Sequence, residues 1–159
     1  MSSPKPQDER RQRSTAARLY AVQALFQMEA AGQSADRVRR EFEDWRIGAE
    51  TEGEAAPQAD EALFARILDD AVTWQGRIDK LTDRALVARW PIDRIDPVLR
   101  AVFRAAGAEF TAAKAPPRVI ISEYVGIADA FFPEGREISF VNAVLDHMSR
   151  NLPTPAADG

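Results

Sequence analysis

The 159-residue chain contains no cysteine. Disulfides, thiolate metal sites and cysteine nucleophiles are excluded by that fact alone. It contains a single histidine, His147. A serine triad, a histidine-based metal centre and most imidazole acid–base schemes need more than one. His147 falls near the end of the last apolar stripe, where a cation complements a helix C-terminus. No apolar run is long enough to cross a bilayer, and the polar first residues do not make a signal peptide. Glycine-rich phosphate loops of the P-loop or Rossmann type are missing. Acid pairs such as Asp69-Asp70 and Glu41/Asp44 are spaced as solvated helix faces. Together these absences argue against an enzyme, and no metal or organic cofactor is expected. A disulfide-free chain fits the cytoplasm.

What is present is the composition of one globular domain, 45% hydrophobic and 29% charged, with enough chain to bury a core. The net charge of -4 argues against a protein that coats nucleic acid over its whole surface. Its distribution is uneven. Residues 1–20 carry Lys5, Arg10, Arg11, Arg13 and Arg18 against Asp8 and Glu9, a balance of +3, which leaves -7 for the remainder. A basic arm on an acidic body suggests one local anionic contact, or else a solvated tail.

Residues 1–12 are polar and contain proline, and they read as a flexible arm. Helical spacing begins near Ser14 or Thr15, with Leu19, Val22, Leu25, Phe26 and Met28 on one face. Gly32 ends that helix, and Ser34 caps a second with the stripe Val38, Phe42 and Trp45. The acidic segment 48–59 has no periodicity and reads as a loop. Asp60 caps a third helix through Leu63, Ile67, Ala71 and Trp74. Gly76 interrupts the pattern, Ile78, Leu81 and Ala85 continue it, and Pro91 closes it. Asp96-Pro97 is a strong helix start, followed by Val98, Val102, Phe103 and Ala106. Ala115-Pro116-Pro117 breaks the chain again. Ile120, Tyr124, Ile127 and Phe131 form the next stripe. Ser139 caps a last helix with Phe140, Val141, Val144, Leu145 and Met148 inward, and Pro153 opens a disordered tail over 151–159. The only strand-like run is Arg118 to Ser122. The pattern predicts an all-α fold, a compact bundle of six to seven helices or two small helical subdomains packed together.

Four blocks then stand in order: ARLYAVQALF at Ala17–Phe26, WPIDRIDPVLRAVFRAAGAEF at Trp90–Phe110, PRVIISE at Pro117–Glu123, and SFVNAVLD at Ser139–Asp146. In this order the chain resembles the NusB family over roughly residues 13–150, with the acidic loop 48–59 unmatched. The resemblance implies two packed helical subdomains and no catalysis. It implies binding of the boxA element of ribosomal RNA leader transcripts as single-stranded RNA. The ribosomal protein NusE would bind alongside, and the complex would join RNA polymerase to suppress premature termination. Self-association through the RNA surface occurs in some members, and the sequence leaves monomer and homodimer both open.

The resemblance also implies roles. Arg10, Arg11, Arg13 and Arg18 would contact RNA phosphates, although Ser14, Thr15 and Ala16 stand where some relatives carry more arginine. Gln23 and Phe140 are candidates for reading bases, since single strands are recognised by stacking and by hydrogen bonds to base edges. Phe140 reads equally as a core aromatic, and Asn142 as either an RNA contact or a helix cap. Arg100 and Arg104, four apart on one face, would flank the RNA or pair internally with Glu109 and other acids. Phe26 would anchor NusE or lie in the core. Some rRNA cytosine methyltransferases begin with a similar domain, but this chain has no catalytic cysteine. The alternative function is a helical protein-interaction module without RNA binding.

Overall fold

The computed structural model describes residues 5–86, 95–133, 135 and 137–152. Among them are seven α-helices: α1 Pro6–Ala31, α2 Ala35–Glu41, α3 Glu61–Thr73, α4 Gln75–Leu86, α5 Pro97–Ala112, α6 Pro117–Phe131 and α7 Ile138–Asn151. A π-helical segment, Phe42–Arg46, continues α2, and a minimal hairpin, β1 Glu50–Thr51 and β2 Glu54–Ala55, precedes α3. Trp90, Pro91 and the tail from Pro153 lie outside the described residues, as does the start of the arm, 1–4.

The central element is α5, which packs against α1, α3, α4, α6 and α7. Its sequence is rich in alanine and holds one glycine, so neighbours approach on several sides, and eleven of its residues are buried. At Gly107 the approach is closest, because a Cβ there would run into the Ile78 methyl of α4. Helices α1 to α3 pack on one another as well as on α5, and α7 packs on both α4 and α6. The two groups share one continuous apolar core running from Ala16 to Met148. Helix α2 has seven residues, too few to hold itself. It is fixed by burying Val38 and Phe42. The Phe42 ring stacks on Phe64 at 5.7 Å and meets the edge of Tyr20 at 6.2 Å. Burying two such side chains contributes about 3–6 kcal/mol, more than seven residues of helix propensity supply.

Several boundaries follow the sequence signals. Gly32 ends α1 in the left-handed conformation at φ 66°. Ser34, Asp60 and Asp96 cap α2, α3 and α5 by accepting from the backbone amides of Arg37, Leu63 and Val98. Others do not. Helix α1 starts at Pro6, not at Ser14 or Thr15, so residues 6–12 are two turns of helix and not a flexible arm. Proline at the first helical position and Asp8 and Glu9 in the first turn favour this start. No apolar stripe marks these turns, because they face solvent throughout. Ser139 does not cap α7, which begins one residue earlier after Glu137 without a side-chain cap. The α3–α4 break falls at Trp74, and Gly76 lies inside α4. The strand-like run 118–122 is helical within α6. The acidic loop holds the hairpin, whose turn residues Glu52 and Gly53 both have positive φ, as a type I′ turn requires.

Candidate nucleic-acid interface

Four arginines were expected to present one basic surface, and the fold divides them. Arg10, Arg11 and Arg13 are exposed on the first turns of α1. The carbonyl of Arg13 accepts from the Asp60 amide at 3.1 Å, which ties the base of these turns to the start of α3. Arg18, one turn further, is buried and faces inward. Its Nε and Nη2 donate to the Glu109 carboxylate at 2.7 and 3.0 Å, and Nη1 donates to Glu123 at 2.9 Å. The Tyr124 hydroxyl donates to Glu109 at 2.6 Å, and Thr15 donates to Glu123 at 2.9 Å. Burial alone would weaken the Arg18 charge, but the Glu109 carboxylate outweighs it and the guanidinium pKa is raised. Burial, then the adjacent Glu109 charge, pushes the Tyr124 phenol well above its ordinary range. Arg18 therefore clamps α1 to α5 and α6, and the expected phosphate contact is corrected.

Arg100 and Arg104 are also held. Arg104 forms a two-pronged pair with Asp79 of α4, with Nε and Nη2 at 3.0 and 2.9 Å, and reaches Glu29 at 3.1 Å. Arg100 pairs with the same Glu29 and donates to the Ile95 carbonyl at 3.1 Å. Hydrogen bonding from Arg100 outweighs partial burial and holds the Glu29 carboxyl below its ordinary 4.5. The internal reading of these two arginines is the observed one, and the acids are ones other than Glu109. Glu29 and Asp79 take the place expected of Glu109, which belongs to Arg18. Flanking an RNA is not what their guanidinium groups are turned to do.

Gln23 and Phe26 meet in a groove of about 390 Å³ with Val98 at the start of α5, Phe131 at the end of α6, and Arg46. Phe26 is 38% exposed and Phe131 37%, so both rings are offered to solvent and neither is core. Phe140 is half-buried, edge-on to the buried Phe103 with ring centroids 6.3 Å apart. Asn142 is exposed at the fifth position of α7, too far along the helix to cap it.

Helices α1 and α6 run side by side in the same direction. Thr15 meets Glu123, and eight residues further along each helix Gln23 and Phe131 share the groove. Arg118 and Val119, at the start of α6, are both exposed. A basic patch at one end of α1 and an aromatic groove toward its other end are about 20 Å apart, at 1.5 Å per residue. Such an arrangement belongs to an all-helical binding protein whose charged and aromatic contact groups lie on its surface.

The NusB family model matches residues 15–150. The transcription antitermination protein NusB of Rhodopseudomonas palustris (strain BisB18) is 44% identical over 153 residues, 95% of this chain and 90% of that protein. The solved structure of T. maritima NusB superposes with a TM-score of 0.70 at 26% identity, covering 96% of both chains. A crystal structure of the antitermination factors NusB and NusE with double-stranded RNA matches in fold, with a TM-score of 0.67 at 20% identity over 86% of this chain and 95% of that one. This chain belongs to the NusB family of transcription antitermination factors.

Proposed function

We propose that this antitermination factor binds boxA-type single-stranded RNA of ribosomal RNA leader transcripts together with the ribosomal protein NusE, and joins the RNA polymerase antitermination complex in that form. The observation that carries the reading is the exposed, helical presentation of Arg10, Arg11 and Arg13. Guanidinium groups fixed on a helix face lose less freedom on binding phosphate than those on a loose tail. Gln23, Phe140 and Asn142, all with accessible surface, are the proposed base contacts. Phe26 is the proposed NusE anchor, because an exposed aromatic lining a largely apolar groove suits a binding hot spot. The acidic remainder of the chain would speed encounter with a basic ribosomal protein.

Reversing the charge of Arg10, Arg11 and Arg13 tests the RNA half. Each lost phosphate contact on a single strand lowers the dependence of log K on log salt by about 0.7, so the triple variant should lose about 2 units of slope. An unchanged affinity and slope refute the arm. A second reading, a protein-interaction module without RNA, draws on the internal pairing of Arg18, Arg100 and Arg104. Intact NusE binding with no preference for any RNA would favour it.

A further inference from the structure

The stripe spacing places Trp45 beside Val38 and Phe42, yet its side chain is 77% exposed, the most exposed large apolar residue described. The cause is local. From Phe42 the chain follows the wider π-helical turn, closed by the Ile47 amide on the Phe42 carbonyl at 2.8 Å. Arg46 folds back with its guanidinium 4.8 Å from the centre of the Phe42 ring, and Trp45 is left outside. Single-turn π-helical segments are rare and occur frequently at functional sites.

Trp45 borders a concavity of about 450 Å³ with Gln33, Arg37, Arg40, Glu41 and Asp44. The floor is fixed, because the Gln27 amide donates to both Gln33 and Glu41, at 2.9 and 2.6 Å. The rim is not: the side chains of Arg37 and Asp44 make no hydrogen bond or ion pair among the described residues. An open indole, an unpaired guanidinium and an unpaired carboxylate therefore converge on one polar hollow.

We propose that this hollow holds an unstacked nucleobase of single-stranded RNA, guanine by preference, with the base on Trp45, Asp44 on its donor edge and Arg37 and Arg40 toward the phosphates. The inference rests on the RNA-binding reading above and adds a second contact to it. Every base has a π-face for the indole. Only guanine offers two adjacent N–H donors on its pairing edge, the pattern a carboxylate accepts with both oxygens. Gln27 and Arg13 are about 21 Å apart along α1 and on nearly the same face of it, so one extended strand has reason to touch both the arm and the hollow.

The test is equilibrium binding of the full chain to a labelled boxA-type single strand, and to the same strand with inosine for each guanine. Trp45→Ala should weaken the guanine strand by ~5- to 150-fold, while Trp45→Phe retains most of the affinity. Asp44→Asn should bring the guanine and inosine strands closer together, since inosine lacks one of the two donors. Thermal midpoints should not move, because the indole is in solvent. Unchanged RNA binding by Trp45→Ala, with the wild type binding well, overturns this inference alone. So does a loss of affinity for NusE without a loss for RNA, which would make the hollow a protein contact. A wild type that binds neither strand, alone or with NusE, overturns the RNA reading and this site with it.

Discussion

Replacing Arg18 by methionine separates a structural arginine from an RNA contact. In the native fold this guanidinium faces two carboxylates, Glu109 with a side chain 6% exposed and Glu123 with one 19% exposed. Methionine fills similar space but leaves both acids without their cation in the core. Removing one partner of a buried pair costs about 3–5 kcal/mol, most of it the uncompensated charge left behind. For a chain of this length, 1 kcal/mol moves the melting midpoint by about 2–4 °C, so a fall of about 6–20 °C is expected. Neutralising the acids as well, in Arg18→Met with Glu109→Gln and Glu123→Gln, should recover most of the loss, since no charge is then stranded. Thermal and urea unfolding followed by circular dichroism measure both variants. RNA titration of the folded variant should leave the salt slope unchanged. A loss below about 1 kcal/mol with a reduced salt slope refutes the clamp and returns Arg18 to the RNA.

Phe26→Ala should leave the fold intact and weaken NusE binding by about 30-fold or more, the effect of losing a hot-spot aromatic, as read by calorimetry. The carboxyl of Glu29 is depressed by Arg100 and Arg104 relative to its ordinary 4.5. Its contribution to stability is therefore present above that value and fades as pH falls through the lower folded-state value. Glu29→Gln should flatten the fall in urea midpoint on acidification below about pH 4.5, relative to wild type. Ala113 ends α5 in the left-handed region at φ 53°, where a Cβ is penalised. Ala113→Gly should raise stability by about 1 kcal/mol, measured by chemical unfolding.

The helices were legible where an apolar stripe or a cap marked them. Asp60, Asp96 and Gly32 act as their chemistry suggests, because caps are local. The first turns of α1 were missed because a helix that buries nothing leaves no periodic signal. Trp45 was misplaced because stripe spacing assumes a constant turn, and the π-helical segment widens it. The candidate site was less legible, since pairing depends on distant chain. Arg18 finds its partners 91 and 105 residues away. A signal did exist: Arg18 sits among Ala17, Tyr20, Ala21 and Val22, and Glu109 among Ala105, Ala106, Ala108 and Phe110. Two opposite charges, each the only one in an apolar stretch of its helix, call for one another. Phe26 and Phe131 gave no comparable signal, because a stripe aromatic looks the same whether it faces core or groove.

Specific recognition of RNA shared with a protein partner is tested by titrating a labelled boxA-type single strand against a scrambled strand and a duplex of the same sequence, at fixed salt, with and without NusE. Salt is held constant because phosphate contacts make affinity fall steeply with ionic strength. Preference for the boxA single strand, tightened when NusE is present, is the expected result. Equal binding of all three RNAs, unaltered by NusE, would contradict it.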